Sequence, residues 1–266
     1  MGKIRLDQRV FDLGLSESRE KAKALIMAGS VYVDGQKQTK PGAPVTEEAD
    51  IEVKGEKLPF VSRGGLKLQK ALDEFSIDPA GLICVDCGAS TGGFTDCLLQ
   101  RGAKHVYAVD VGYGQLAWSL RCDERVTVME RTNARNLTPD MFSEKMDMAV
   151  MDMSFISLRL VLPAVRSLLE EGGQTVCLVK PQFEAGREKV GKKGVVRDPA
   201  VHLEVLERFC ADIGDMGFSL AGLTFSPVRG PEGNIEYLGF LQAGAGEPFE
   251  VDLKELVDRS HQALKG

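Results

Sequence analysis

The feature that most constrains the fold of this 266-residue chain is a regular alternation of short apolar strands and helical stretches, beginning near residue 82. Parallel strands need a long crossover connection, usually a helix, whereas antiparallel strands need only a turn. The alternation therefore predicts a mostly parallel sheet covered by helices. The alternating elements are predicted at 82–87, 93–101, 104–110, 114–121, 126–130, 147–152, 158–170, 174–180 and 199–214.

The last part of this pattern changes character. Strands are predicted at 218–225 and 235–241, with only a short loop containing Pro and Gly between them. Because no crossover helix separates them, these two strands must pair antiparallel at one edge of the sheet. A seven-stranded sheet of this kind is typical of class I methyltransferases rather than of dehydrogenases.

A glycine-rich loop follows the first strand, in the run VDCGASTGGFT at 85–95. Gly88, Gly92 and Gly93 have the spacing G-x-x-x-G-G, which lacks the G-x-G-x-x-G geometry that cradles a dinucleotide pyrophosphate. The loop keeps the freedom that glycines give a backbone, without the phosphate-binding pattern.

The same loop also matches the nucleophile elbow of a hydrolase, because Ser90 lies between two glycines, after a strand and before a helix. The base that activates this serine would have to be His202 or His261. This alternative leaves Asp86 and Asp110 without roles.

A loop that binds S-adenosylmethionine uses more of these residues. Glycines after the strand-ending acid Asp86 let the backbone approach the cofactor, and the following helix N-terminus faces its carboxylate. Asp110, which ends the second strand, can accept from both ribose hydroxyls, and the Asn133 carbonyl can accept from the adenine amino group. The predicted cofactor-binding residues are Asp86, Gly88, Ser90, Gly92, Gly93, Phe94, Thr95, Asp110 and Asn133.

The first 60 or so residues form a separate module of two short helices and a small sheet. Leu6, Val10, Leu13 and Leu15 give an apolar stripe, and a Ser16-x-x-x-Glu20 signal opens the second helix. Strands follow from residue 31 into an Asp-Gly turn and again at 51–54. The run R-L-D-x-x-V…G-L-x-x-S-R-x-x-A…L-I-x-x-G-x-V-x-V-D-G resembles the S4 family of RNA-binding domains.

The S4 resemblance implies that a basic face of the two helices, formed by Arg5, Arg19, Lys21 and Lys23, binds structured RNA. Basic side chains that contact phosphates supply affinity and position rather than sequence reading. In the alternative, Arg19 merely caps its own helix or forms a salt bridge on it.

Three polar residues end strands at one rim of the predicted sheet, where ligands bind in open α/β folds: Asp152, Lys180 and Glu236. Each alone is compatible with a surface charge. Together with Lys67 they form a Lys-Asp-Lys-Glu set that resembles the FtsJ-type (RrmJ) ribose 2′-O-methyltransferases. With its S4 module, the chain over residues 3–243 resembles the TlyA, or hemolysin A, family of ribosomal-RNA methyltransferases.

This resemblance implies transfer of a methyl group from S-adenosylmethionine to a ribose hydroxyl of ribosomal RNA, free or in a ribosomal subunit. The hydroxyl is a poor nucleophile, so Lys180 would act either as a base or as a cation that stabilises oxyanion charge. Asp152 would hold Lys180, Glu236 would complete the hydrogen-bond network, and Lys67 would position the nucleotide. The sequence leaves both roles of Lys180 open.

A basic stretch at 187–197 follows Lys180 and resembles a flap over RNA, although a mobile solvated loop has the same composition. With Arg63, its lysines complete the predicted RNA contacts. The full set is Arg5, Arg19, Lys21, Lys23, Arg63, Lys189, Lys192 and Lys193.

Composition bounds the compartment and the partners. The net charge is −6, from 33 basic and 39 acidic residues, but local basic groups at the N-terminus remain compatible with RNA binding. Six scattered cysteines indicate a reducing compartment, and Cys84 and Cys87 lack the second pair that a zinc site needs. With no long apolar run and no signal peptide, we expect a cytoplasmic protein with no metal, no membrane contact and no obligate protein partner.

The predicted organisation is an S4-type domain at 1–58, a linker at 59–62, an FtsJ-like methyltransferase domain at 63–246 and a C-terminal helix or tail at 247–266. Two other classes of function stay open at this point. One is a non-catalytic RNA-binding or ribosome-assembly protein, and the other, suggested by the hemolysin name, is a membrane-active protein.

Overall fold

The computed structural model describes residues 3–16, 18–27, 29–54 and 58–265, apart from the side chains of Ala24 and Lys192. The chain forms two compact units, Met1–Lys57 and Leu58–Gly266. Each unit is described separately.

The first unit contains two short helices and two small sheets. Strand β2 is central in one sheet, between β3 and β5, and β1 pairs with β4 in a second sheet that the sequence did not predict. Leu6, Val10, Ile26 and Val31 lie in its buried core. The elements are β1 (Ile4–Arg5), α1 (Leu6–Asp12), α2 (Arg19–Met27), β2 (Val31–Val33), β3 (Gln36–Gln38), β4 (Pro44–Val45) and β5 (Ile51–Val53).

Two details of the predicted helices in this unit are wrong. Leu13 and Leu15 are exposed, because α1 ends at Asp12 before they can join its apolar face. The residue that caps α2 is Ser18 rather than Ser16, since the Ser18 hydroxyl accepts from the backbone N–H of Lys21 at 3.1 Å.

The second unit is built around a seven-stranded sheet among the residues described, with the order β11-β12-β10-β9-β6-β7-β8. Strand β12 pairs antiparallel with β10 and β11, and the other strands are parallel, which confirms the predicted fold class. The elements are α3 (Gly64–Glu74), β6 (Ile83–Cys87), α4 (Gly93–Gln100), β7 (His105–Val109), α5 (Trp118–Arg121), β8 (Val126–Met129), β9 (Met146–Met151), α6 (Leu162–Leu168), β10 (Leu169–Val179), α7 (Pro181–Glu184), α8 (Pro199–Asp212), β11 (Phe218–Phe225), β12 (Tyr237–Ala243) and α9 (Leu253–Ala263).

Two predicted helices are shorter than expected. The stretch at 114–121 is helical only over α5, and the stretch at 158–170 divides into a 3₁₀ turn at Leu158–Leu160 and helix α6, which carries a proline in its first turn. Strand β10 then begins at Leu169, where an irregularity in its register with β9 separates two segments of pairing.

Apolar side chains pack on both faces of this sheet, in two core clusters. Cys84 lies in one cluster and Cys87 in the other, as expected for residues three apart on a strand. Burial raises the pKa of the Cys84 thiol to about 12, so this thiol is not poised for redox chemistry. No helix among the described residues is both long and apolar enough to cross a membrane.

Candidate active site

The loop after β6 needs glycine where it approaches other backbone. Gly88 has φ +85°, and a Cβ there would lie 2.8 Å from the carbonyl oxygen of Asp152. Gly92 has φ +99° as the residue before α4, and a Cβ there would lie 2.2 Å from the Leu120 side chain. The close approach at Gly88 brings the loop to the end of β9, and the close approach at Gly92 brings it to α5.

Asp86 lies beneath this loop with no exposed surface. Its Oδ2 accepts from the backbone N–H of Thr95 at 3.0 Å and from the Thr95 hydroxyl at 2.7 Å, which ties β6 to the first turn of α4. Burial raises the pKa of the Asp86 carboxyl to about 7. Asp86 and Thr95 therefore support the loop from below.

Asp110 holds the same loop from the end of β7. Its two carboxylate oxygens accept from the backbone N–H of Ser90 at 2.8 Å and of Gly112 at 2.7 Å. Each oxygen keeps a further lone pair for a ligand. Asn133 is exposed, and its side-chain oxygen accepts from the backbone N–H of Arg135 at 3.1 Å.

The four residues of the Lys-Asp-Lys-Glu set lie together in one chain of ion pairs. Lys67 Nζ lies 2.7 Å from Glu236 Oε2 and 3.4 Å from Asp152 Oδ2, and Lys180 Nζ lies 2.6 Å from Asp152 Oδ1. Lys67, Lys180 and Glu236 are buried. The helical pattern at 62–75 turns Leu66, Leu68 and Leu72 inward and predicts that Lys67 faces outward. This prediction is wrong, because the two carboxylate partners of Lys67 lie inside the unit and the lysine is buried.

Burial and pairing act in opposite directions on this set. Burial alone would lower the pKa of Lys67, but the nearby carboxylates of Asp152 and Glu236 outweigh it and raise that pKa. Burial alone would raise the pKa of Asp152, but Lys180 and Lys67 outweigh it and lower that pKa. Both shifts favour the charged forms of Lys67 and Asp152.

Three residues at or beside the charged cluster, Ser154, Gln182 and Phe155, were not predicted from the sequence. The Ser154 hydroxyl accepts from Lys180 Nζ at 3.2 Å, and Gln182 Nε2 donates to Glu236 Oε1 at 3.1 Å. Phe155 is 90% exposed, has φ +63°, and lies 5.1 Å from the Phe183 ring between centroids. A non-glycine residue in the left-handed region beside a charged cluster was a signal only the structure could supply.

A cavity of about 310 Å³ connects the loop to the charged cluster. Its walls combine loop backbone, α3, the cluster and the segment before β12. The lining residues are Ser62, Arg63, Gly64, Lys67, Gly88, Ala89, Ser90, Thr91, Gly93, Phe94, Asp152, Ser154, Lys180, Val228, Arg229 and Pro231. The predicted cofactor-binding and catalytic residues that do not line this cavity are Asp86, Gly92, Thr95, Asp110, Asn133 and Glu236.

Neither candidate base of the hydrolase alternative bonds to Ser90, because the Ser90 hydroxyl donates to Gln115 Oε1 at 3.4 Å and the His261 ring lies against the His202 ring, 4.8 Å away between centroids. His202 is fully buried, and its two ring nitrogens contact the Tyr237 hydroxyl at 2.9 Å and the Val196 carbonyl at 3.1 Å. Because Val196 offers only an acceptor, Nε2 carries the proton and Nδ1 accepts from Tyr237. Both nitrogens are therefore engaged away from Ser90.

The predicted RNA-binding residues occupy different settings. Arg5 and Arg19 both bond to Asp7, Lys23 pairs with Glu20 at 3.1 Å, and Lys189 pairs with Glu204. Arg63 lines the cavity and Lys193 is exposed, while the Lys192 side chain lies outside the described part of the structure. Lys21 follows the cap of α2.

Family models match both units. The S4 domain model matches residues 4–51, and the FtsJ-like methyltransferase model matches residues 60–243. The fold and the site thus define a methyltransferase that carries an S4 domain. The chain belongs to the FtsJ-like methyltransferase family.

Relatives with both units span nearly the whole chain. TlyA of Mycobacterium tuberculosis, named a 16S/23S rRNA (cytidine-2′-O)-methyltransferase, is 44% identical over 98% of this chain and 97% of its own length. Hemolysin A of Brachyspira hyodysenteriae is 44% identical over 88% of this chain and 98% of its own. A solved structure described as a hemolysin from Streptococcus thermophilus is 48% identical, with a TM-score of 0.80 over 100% of this chain and 98% of that one.

Proposed function

We propose that this chain transfers a methyl group from S-adenosylmethionine to a ribose 2′-hydroxyl of ribosomal RNA. The observation that carries the proposal is the continuous run of ion pairs from Glu236 through Lys67 and Asp152 to Lys180, at the wall of the cavity under the glycine loop. TlyA of Mycobacterium tuberculosis, which matches 98% of this chain, and TlyA of Campylobacter jejuni, which matches 67% of it, are both named for 2′-O-methylation of cytidine in ribosomal RNA. These names support the same substrate class here.

The cavity suits the proposed cofactor in size and in the groups around it. Its volume of about 310 Å³ lies in the range of small-ligand sites. Gly93 and Phe94 begin α4 and line the cavity, so a ligand carboxylate can lie at a helix N-terminus. Asp110, bonded to the lining residue Ser90, offers its remaining lone pairs to ribose hydroxyls.

When bound, S-adenosylmethionine supplies an electrophilic methyl group. The residues of this chain would orient the hydroxyl and stabilise the charge that develops on its oxygen as the proton leaves. Lys180, paired with Asp152 at 2.6 Å, is arranged as a fixed cation, which favours the electrostatic role over the role of a base. Lys67 pairs with Asp152 and would position the target nucleotide, and Glu236 orients Lys67.

Phe155 supplies an aromatic surface for the target nucleotide. Its ring is 90% exposed in a strained backbone conformation, and it is three residues from Asp152. RNA-modifying sites commonly stack an unpaired base on an aromatic side chain. A base stacked on Phe155 would bring its ribose toward the charged cluster.

The basic loop at 187–197 is held beside the segment that carries Glu236. The Asn234 side chain accepts from the Val196 N–H at 3.0 Å and donates to the Gly194 carbonyl at 2.9 Å, while His202 contacts the Val196 carbonyl. These bonds support a placed RNA-binding loop rather than the solvated alternative.

The domain boundaries and the cellular location of the chain are also proposed here. We retain the division into an S4 domain at 1–58, a linker at 59–62, a methyltransferase domain at 63–246 and a tail at 247–266. We also retain a cytoplasmic location, where ribosomal RNA is found.

The test is transfer of a labelled methyl group from S-adenosylmethionine to unmodified 16S and 23S rRNA and to ribosomal subunits, followed by digestion to nucleosides. The expected product is a 2′-O-methylated nucleoside. Methylation of bases alone, or no transfer to any of these RNAs, would overturn the proposal.

A further inference from the structure

The first unit contains a buried carboxylate between two arginines that are far apart in sequence. Asp7 is fully buried at the start of α1. Its Oδ1 accepts from Arg5 Nε at 2.9 Å, and its Oδ2 accepts from Arg5 Nη2 at 3.1 Å and from Arg19 Nε at 3.1 Å. One side chain thereby fixes guanidinium groups from β1 and α2.

These bonds keep Asp7 ionised. Burial alone would raise the pKa of the Asp7 carboxyl, but the bonds from Arg5 and Arg19 outweigh it and lower that pKa to about 2. A buried carboxylate that loses its cationic partners is left as an uncompensated buried charge, which strongly destabilises the fold. The pairing therefore restrains the arginines as much as it stabilises the acid.

The two guanidinium groups remain partly open to solvent. The Arg5 side chain is 55% exposed and the Arg19 side chain is 40% exposed. Asp7 takes two N–H groups of Arg5 and one of Arg19, and leaves their other donors for other acceptors. Arg5 also lies against Gly42, where a Cβ would lie 3.0 Å from Nη1.

We propose that Asp7 is a positioning residue that presents Arg5 and Arg19 as a preorganised pair for RNA phosphates. Guanidinium groups bind phosphate through planar forks, so fixing their orientation before binding removes part of the entropy cost. This inference rests on the proposed RNA-binding role of the two arginines.

Because Asp7 is negatively charged, the inference and simple charge counting predict opposite changes in RNA affinity when Asp7 is neutralised. Replacing Asp7 with Asn removes one negative charge from a surface that binds a polyanion, so charge counting predicts tighter binding. Positioning predicts the opposite, because the arginines lose their shared anchor. Asp12→Asn is the matched control, since Asp12 is exposed on the same helix and bonds only to Gln8 among the contacts described.

The experiment measures binding of the full chain to unmodified 16S and 23S rRNA transcripts by fluorescence anisotropy over a series of salt concentrations. We expect Asp7→Asn to weaken binding about tenfold, with KM for RNA raised and kcat at saturating RNA unchanged. Asp12→Asn should bind as tightly as wild type or slightly tighter. Binding by Asp7→Asn that equals or exceeds that of Asp12→Asn overturns the inference.

Two further variants separate positioning from folding. In a chain carrying Arg5→Ala and Arg19→Ala, adding Asp7→Asn should weaken binding no further, whereas a purely structural role would weaken it again. Arg5→Lys with Arg19→Lys keeps both charges but lacks the forks, and it should also weaken binding. Wild-type affinity in this lysine variant would overturn the inference, and wild-type affinity in the double alanine variant would overturn the RNA-binding role on which it rests.

Discussion

Two charged clusters among the described residues arrange similar groups in different ways. In the methyltransferase unit, Lys67 and Lys180 alternate with Asp152 and Glu236, so two cations match two anions, and all but Asp152 are buried. In the S4 unit, one buried Asp7 holds two partly exposed arginines, so surplus positive charge stays at the surface. A balanced buried cluster suits chemistry at fixed distances, whereas exposed surplus charge suits binding to a polyanion.

We expect the largest loss of activity on substitution of Asp152, the anion that Lys67 and Lys180 share. Asp152→Asn leaves Lys180 without its partner, so we expect kcat to fall about 10²–10³-fold while KM for RNA changes little. Single-turnover methyl transfer to rRNA measures it. Asp147→Asn, at the other end of β9, is the control and should keep wild-type activity. A wild-type rate in Asp152→Asn would mean that the buried cluster does not contribute to methyl transfer.

The next effect concerns stability. Glu236→Gln removes the nearer carboxylate of buried Lys67, so we expect the free energy of unfolding to fall by about 3 kcal/mol, as for a buried ion pair that loses one member. Urea unfolding measures it, with exposed Glu232→Gln as the control. If both variants unfold at the same urea concentration, the buried pairing contributes little to the fold.

A third prediction uses a buried neutral group, the imidazole of His202. Burial lowers its pKa to about 4 from an ordinary 6.5. The unfolded chain therefore takes up the proton first, and the His202 contribution to stability is lost as pH falls from 6.5 to 4. Between pH 7 and pH 5 this loss is about 2 kcal/mol. The measurement is urea unfolding at both pH values.

His202→Gln should remove this part of the pH dependence, and His105→Gln should not. An unchanged difference between pH 7 and pH 5 in His202→Gln would assign the loss to other groups. Because His202 holds the Val196 carbonyl, the same variant should raise KM for RNA more than it lowers kcat.

The smallest effect is expected from one arginine of the exposed cluster. Arg19→Ala should weaken rRNA binding about tenfold and reduce the slope of log affinity against log salt by about 1, with kcat at saturating RNA unchanged. Arg125→Ala, which removes an arginine paired with Asp123 in the other unit, is the control. A fall in kcat for Arg19→Ala would mean that the S4 unit contributes to the chemical step.

Much of the charged cluster could be predicted from sequence because strand ends are local signals. Asp152, Lys180 and Glu236 follow or precede recognisable strands, and parallel strands end at one rim of a sheet. The glycine loop was predictable for the same reason. The strand order β12-β10-β9, which brings these three strand ends together, is given by the structure and not by the pattern.

What sequence could not supply is the partner of each charge. Asp7 is near Arg5 along the chain, but its bond to Arg19 depends on how α1 packs on α2. Lys67 looked like an outward residue because nothing local shows that Glu236, far along the chain, lies beside it. The backbone strain at Phe155 likewise has no sequence signature, since a phenylalanine ordinarily avoids positive φ.

The central claim is that Lys180 acts as a fixed cation in transfer of a methyl group to a ribose hydroxyl. The most direct measurement is the single-turnover rate of transfer to saturating unmodified rRNA, with identification of the product nucleoside, in wild type, Lys180→Arg and Lys180→Met. We predict a 2′-O-methylated product, a loss of at least about 100-fold in Lys180→Met with cofactor binding retained, and a smaller loss in Lys180→Arg. Transfer by Lys180→Met at the wild-type rate would contradict the claim.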